Sequence, residues 1–408
     1  MGSGVGGGAL TPVLWLCGPP GVGKTTAGWE LFRKLTEAGA PTGYVDIDQL
    51  GMCYPESAAD PGRHLMKTQN LGAVLDGFRA AGARCVVVSG VVDPVCGVAR
   101  ELLPQAELTL CQLWSGQEEL RQRYLGREGR AELVASVLRD AEDMDASTFA
   151  DLRVDTSGLP VAEVVRVLRE RTGGWPGAVG TPTEAPAEAP MEMPIETPTE
   201  APAAAPAPAG PAGTGGPVVW VCGATGVGKS VVGFEVYSRA LRAGHTAAYV
   251  DIGQLGCFGP PSADDPGGHR LRARNLASLW RTYRAVGAEC LVVVGSIGDQ
   301  EIATRYAEAL PGADFTLARL HAGREQLTQR IMRLGRGEGW PQPGGPLRGR
   351  SVEHLLQVAD QATADAEVLE RAELGALRVD TDQRTVSQAA DVFAPWLSEL
   401  HKSSNVHA

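Results

Sequence analysis

Two stretches of this chain carry the residue types needed to hold a row of phosphates. Gly18 to Thr25 (GPPGVGKT) and Gly223 to Ser230 (GATGVGKS) both fit the pattern G-x-x-x-x-G-K-[ST]. A phosphate chain needs many donors close to its oxygens, and glycines let main-chain N–H groups converge there beneath a helix N-terminus. Lys24 and Lys229 are placed to neutralise the β- and γ-phosphates, and the hydroxyls of Thr25 and Ser230 to hold Mg²⁺ between them. The expected ATP-binding set is therefore Gly18, Gly21, Gly23, Lys24, Thr25 and Thr26 in the first stretch. In the second it is Gly223, Gly226, Gly228, Lys229 and Ser230. One such short match can be a glycine turn; two in matched context argue for two nucleotide sites.

A pair of carboxylates forms the second constellation. Asp46 and Asp48 stand two apart at the end of the apolar run from Gly43, so an extended strand would send both to one face. The carboxyl ends of strands are where open α/β sheets bind ligands. Asp46 fits the Mg²⁺ side, and Asp48 fits a group that takes a proton from, or orients, an acceptor hydroxyl. The alternative is that both cap the following turn. Later in the chain Asp251 repeats Asp46, but Gly253 stands where Asp48 would recur. The expected metal-side residues are thus Thr25, Asp46, Ser230 and Asp251.

Arginines supply the third feature. Among Arg121, Arg123, Arg127 and Arg130, and among Arg330, Arg333, Arg336, Arg348 and Arg350, the residues at corresponding places are Arg123 and Arg330. Guanidinium forks suit phosphate oxygens, whereas a solvated helix face paired with Glu118, Glu119, Glu128 and Glu132 is the competing reading. The expected catalytic residues are Lys24, Asp48, Arg123 and Lys229. His64 and His269 follow Asp-Pro-Gly turns, where capping is favoured over contact with an acceptor. Asp155–Thr156 and Asp380–Thr381 read first as helix caps.

These residues need elements to position them. The order is an apolar run ending at Cys17, a helix over 25–38, a strand over 43–48, a helix over 65–81 and a strand over 85–89. Strands at 108–113 and 152–154 follow, separated by a charged helical stretch from Gln117 to Arg139, with a closing helix over 161–171. The continuously apolar run Cys85 to Val88 is the signature of a buried parallel strand. It ends in Ser89-Gly90, and its counterpart Leu291 to Val294 ends in Gly295, so neither supplies the carboxylate that a motor ATPase places there.

The whole arrangement occurs twice. Lys24 and Lys229 lie 205 positions apart (229 − 24), and the same offset carries Tyr44–Gly51 onto Tyr249–Gly256, His64 onto His269 and Asn70 onto Asn275. Such self-similarity marks duplication of a domain. The clearest difference is an insertion over 335–350. Between the copies, residues 173–216 alternate Pro, Ala, Thr and Glu without Lys or Arg, a composition that cannot bury a core and predicts a disordered linker. The expected domains are 11–172 and 217–400, with flexible ends at 1–10 and 401–408. Cutting the linker near Pro206 is expected to leave two folded domains.

Composition narrows the partners. The 408 residues carry a formal charge of −11, with a pI near 5.2, which argues against a broad grip on nucleic acid or anionic lipid. Eight cysteines without a C-x-x-C pair fit a reducing compartment. The first residues lack a basic, apolar leader, so a cytoplasmic protein without a membrane partner is expected. Neither the oligomeric state nor the acceptor follows from the sequence.

With the glycine-rich loop, the Asp-x-Asp strand end, the arginine-bearing stretch and the Val-Asp-Thr ending in this order, each half resembles the small-molecule P-loop kinases, among them shikimate, gluconate and adenylylsulfate kinases. The resemblance implies tandem P-loop NTPase domains of the NMP-kinase-like type. Each would be a three-layer α/β/α unit with a five-stranded parallel sheet and a mobile lid. It further implies transfer of the ATP γ-phosphoryl group, with Asp46 and Asp48 as Mg²⁺-side and acceptor-side carboxylates. The acceptor signatures of those named kinases are missing. A nucleotide-binding regulatory or scaffold protein with two ATP-sensing domains is the alternative.

Overall fold

A computed structural model describes residues 10–128, 130–177, 215–262, 264–265, 267–338 and 347–404. The expected linker falls almost wholly outside these, as do nearly all of 1–10, half of 401–408 and half of the 335–350 insertion. The chain is an α/β protein with two mostly parallel sheets.

In the first half, β1 (Thr11–Cys17) leads through the glycine-rich loop into α1 (Lys24–Glu37) and β2 (Thr42–Asp46). A 3-10 turn over Ile47–Gly51 and a two-residue strand, β3 (Cys53–Tyr54), follow. Next come α2 (His64–Ala80), β4 (Cys85–Ser89), β5 (Ala106–Trp114), α3 (Gln117–Glu128), α4 (Val134–Ala146), β6 (Leu152–Asp155) and α5 (Val161–Arg171). The single charged helix expected over 117–139 is two helices with a break between them. The second half repeats the order with β7 (Gly216–Cys222), α6 (Lys229–Arg242), β8 (Ala247–Asp251), β9 (Cys257–Gly259), α7 (His269–Ala285) and β10 (Cys290–Val294). It continues with α8 (Gln300–Ala309), β11 (Ala313–His321), α9 (Arg324–Gly335), α10 (Val352–Arg371), β12 (Leu377–Asp380), α11 (Val386–Asp391) and α12 (Ala394–Ser404).

The sheets run β6-β5-β1-β4-β2-β9 and β12-β11-β7-β10-β8-β3. Each therefore has the five parallel strands expected and a sixth, antiparallel strand taken from the other half. Thr42 to Tyr44 of β2 pair with Gly259 to Cys257 of β9, and Cys53 and Tyr54 of β3 pair with Ala248 and Ala247 of β8. Such an exchange closes an edge that would otherwise present unpaired N–H and C=O groups. Two- and three-residue strands give no hydrophobic period to read, so the exchange was invisible in the sequence.

The halves also meet through α2 and α7. A Cβ added at Gly77 would lie 2.0 Å from Asn275 Oδ1, so this helix pair approaches as closely as it does only because Gly77 has no side chain. Asn70 and Asn275, both fully buried, donate to Leu50 O (2.7 Å) and Leu255 O (2.5 Å). One apolar core runs through both halves and includes Val13, Trp15, Leu71, Phe78, Trp220, Leu276 and Tyr283. Two further cores lie under α1 and α6, on the opposite sheet faces. Among the described residues, no helix is long and apolar enough to cross a membrane.

Candidate functional site

The two phosphate loops have nearly the same backbone. Gly18, Gly21 and Gly23 take φ values of 142°, 89° and 103°, and Gly223, Gly226 and Gly228 take 141°, 80° and 104°. A side chain at Gly18 would strike Leu113 O at 2.4 Å, and one at Gly223 would strike Leu320 O at 2.7 Å. Gly23 and Gly228 stand at the N-caps of α1 and α6, and no side chain caps either helix. The first N–H groups of both helices thus open onto the loop, which suits an anion. Lys24 Nζ folds back onto Pro19 O (3.0 Å), and Lys229 Nζ onto Gly223 O (2.9 Å) and Ala224 O (2.8 Å). Burial lowers the Lys229 pKa to about 8, opposed by the nearby Asp251 carboxylate. Helix N-terminal N–H groups without a side-chain cap, beside a lysine on a glycine-rich loop, are the donor set a polyphosphate would need. Thr25 and Ser230, with Thr26 beside Thr25, occupy the first turns of the two helices.

Parallel pairing sets the carboxylates across from the loop. Leu16, Ser89 and Asp46 lie in one register row over β1, β4 and β2, as Val221, Val294 and Asp251 do over β7, β10 and β8. Asp46 and Asp251 therefore stand at the same sheet edge as the phosphate loops, two strands away, about 10 Å at ordinary strand spacing. Burial pushes the Asp251 carboxyl upward, against the Gly253 N–H and Lys229.

Asp48 is placed differently from the sequence expectation. The strand ends at Asp46, and Asp48 lies on the 3-10 turn beyond it, with its backbone N–H donated to Asp46 Oδ1 (3.1 Å). Asp46 thus does cap the turn, as Asp251 does toward Gly253 N (3.0 Å). Asp48 remains half exposed, and its Oδ1 accepts from Lys67 Nζ at 2.9 Å. Its other oxygen would be 3.4 Å from a Cβ added at Gly90. Lys67, a buried cation on α2, had not been singled out from the sequence. The signal was available: the offset that aligns the halves sets Lys67 against Arg272, a basic residue at the same place. Arg272 has Gly253 where Lys67 has Asp48, and its Nη1 donates to Gly267 O (2.8 Å).

Arg123 and Arg330 are committed to the protein. Arg123 donates to Thr156 Oγ1 (2.9 Å), Thr156 O (2.8 Å), Val22 O (3.3 Å) and Glu119 Oε1 (2.6 Å). Arg330 donates to Thr381 Oγ1 (2.9 Å), Thr381 O (2.6 Å) and Val227 O (2.9 Å). Each clamps its glycine-rich loop to the end of the last strand of its half. The sequence expects Arg123 to reach substrate; in the structure its two Nη atoms are engaged by two carbonyls, a hydroxyl and a carboxylate of the protein. Thr156 and Thr381 are also corrected: they bond the loop, at 3.4 Å to Val22 O and 3.3 Å to Val227 O, and α5 starts five residues later without a side-chain cap. Arg121 lies 4.0 Å from Glu118 on an exposed helix face.

His64 and His269 open α2 and α7, and it is Asp60 and Asp265 that cap those helices. His269 Nδ1 lies 3.0 Å from Tyr306 OH, and burial lowers the pKa of both histidines. Among the described residues no cluster of three or more His, Cys, Asp or Glu forms a metal-binding group.

No family model matches the chain, and no curated protein matches it. Solved structures do. A tunicamycin resistance protein from Deinococcus radiodurans aligns at 20% identity over 40% of this chain and 96% of its own, with a TM-score of 0.32. A gluconokinase from Sinorhizobium meliloti aligns at 21% identity over 40% and 97%, with a TM-score of 0.27. A shikimate kinase from Bacteroides thetaiotaomicron aligns at 16% identity over 40% and 98%, with a TM-score of 0.28. Each match covers about two-fifths of this chain and nearly the whole of the other, at low identity.

Proposed function

We propose that the protein is an ATP- and Mg²⁺-dependent phosphotransferase that moves the γ-phosphoryl group to a hydroxyl of a small molecule, with the first half the better-equipped site. The observation that carries this reading is the common sheet edge, which sets an open phosphate loop opposite Asp46 and the half-exposed Asp48. Thr25 and Asp46, and Ser230 and Asp251, are the residues that would hold Mg²⁺, which supplies charge neutralisation along the phosphates. The loop N–H groups and Lys24 bind and orient the phosphate chain. Asp48 accepts the proton of the acceptor hydroxyl, and Lys67 holds its carboxylate in place. Arg123 acts through the loop, fixing Val22 against Thr156. Such positioning matters because a misplacement of about 1 Å costs ~10²-fold in rate.

The test is purified protein with Mg·ATP and a panel of sugars, polyols, nucleosides and antibiotics. ADP should form with some acceptor, about 10²-fold more slowly with Asp48→Asn. Tight ATP binding with no turnover on any acceptor, unchanged by Asp48→Asn, would favour instead a nucleotide-sensing regulatory protein. Gly253 in place of a second acceptor-side carboxylate is what keeps that reading for the second half.

A further inference from the structure

The turn that carries Asp48 is held from the other half of the molecule. Leu50 lies two residues beyond Asp48, and its carbonyl accepts from Asn70 Nδ2 of the same half (2.7 Å) and from Tyr283 OH of α7 (2.9 Å). Tyr283 is completely buried, and burial raises its pKa well above the ordinary value, so the phenol keeps its proton and donates. Two residues further on, Met52 O accepts from Tyr249 N of β8 (2.8 Å) as the chain enters the exchanged strand. Asp48 therefore sits on a turn fixed at one end by Asp46 and at the other by two donors from the second half.

The matching turn of the second half lacks the side-chain donor. The offset of 205 sets Tyr283 against Phe78 (283 − 78), a ring of similar shape with no hydroxyl. Phe78 is also fully buried and packs on Phe258 of β9, with centroids 6.5 Å apart. Leu255 O accepts from Asn275, the counterpart of Asn70. The phenol is thus present on the side where the turn carries Asp48, and absent where it carries Gly253.

We propose that Tyr283 is a positioning residue for the first half's acceptor-side turn, so that a side chain of the second half sets the geometry in which Asp48 works. This rests on the phosphotransferase reading for its consequence in turnover, and on the hydrogen bond alone for its consequence in the turn. A buried carbonyl that loses one of two donors binds its segment less tightly, while the shape of Tyr283→Phe is conserved, so folding is retained.

The experiment uses the full chain carrying Lys229→Ala, so that turnover reports the first site, with and without Tyr283→Phe. Amide exchange across 47–54 should accelerate about fivefold, with 252–259 unchanged. In the presence of Mg·ATP and the acceptor panel, kcat should fall about three- to tenfold while KM for ATP stays within about twofold. In the presence of Asp48→Asn the same change should lower kcat no further, because the two act as a unit; a merely structural tyrosine would add its own loss. Unchanged exchange at 47–54 overturns the proposal whatever the turnover, and faster exchange with unaltered kcat in the active parent overturns the link to Asp48. A parent that turns over no acceptor defeats the phosphotransferase reading instead, and the exchange result then decides by itself whether Tyr283 holds the turn.

Discussion

The turns after β2 and β8 leave their strands through the same Asp-capped 3-10 geometry, yet they present different chemistry. In the first, Asp48 is paired with buried Lys67, and Tyr283 braces the turn. In the second, Gly253 offers no side chain, Arg272 replaces the lysine and Phe78 replaces the tyrosine. The phosphate loops, by contrast, differ little, down to the lysine folded over its own carbonyls. The glycine-rich loops have therefore stayed alike while the turns beside them differ, and on the proposed phosphotransferase reading the first half alone is furnished for proton transfer.

The largest effect that separates the halves should come from the lysines. Lys24→Ala should cut acceptor-dependent ADP formation by about 10²–10³-fold, through lost charge stabilisation over the phosphates. Lys229→Ala should leave most of it; equal losses in steady-state assays would erase the distinction drawn here. Asp48→Asn should follow, with kcat down about 10²-fold and ATP affinity within twofold by titration calorimetry. The reciprocal Gly253→Asp should restore no activity to a Lys24→Ala chain, because Phe78 and Arg272 are still in place. Activity gained there would show that one carboxylate suffices.

A smaller effect is expected at the clamp. Arg123→Ala removes four hydrogen bonds and leaves Thr156 and Val22 O underused, so stability should fall by about 1–3 kcal/mol in urea melts and ATP binding at the first site should weaken. Arg330→Ala should do the same for the second site alone. The smallest change is expected on cutting the linker near Pro206. The nicked pieces should still co-elute in gel filtration, because β3, β9 and the α2–α7 contact hold them without a covalent link. Separation into two well-folded monomers would mean that the exchanged strands contribute little.

Much of this was legible in the sequence because it is periodic or carried by special residues. The glycine pattern fixed both loops, and the apolar run Cys85–Ser89 and the helix Val161–Arg171 appear with the bounds expected. The sequence sets Asp48 on the strand, whereas a 3-10 turn over Ile47–Gly51 replaces the pleat there, and no periodicity reports that. Arg123 stands out in the sequence by its matched position, but composition cannot tell a guanidinium facing phosphate from one facing carbonyls. Lys67 and Tyr283 went unread for another reason. Their significance lies in comparison between halves, at Arg272 and Phe78, and for Tyr283 in a contact with Leu50 made 233 positions away.

The exchanged strand has a consequence for how the molecule is made. Thr42 finds its last neighbour at Gly259, 217 positions later (259 − 42). At ~5–20 residues per second, synthesis reaches that partner roughly 10–40 s after β2 has left the ribosome. During that interval the first half has an uncovered β2 edge and an extra strand, β3, with nowhere to go. A neighbouring nascent chain at the same stage has the same uncovered edge and the same unplaced strand, so pairing between molecules competes with closure within one for as long as the second half is unmade.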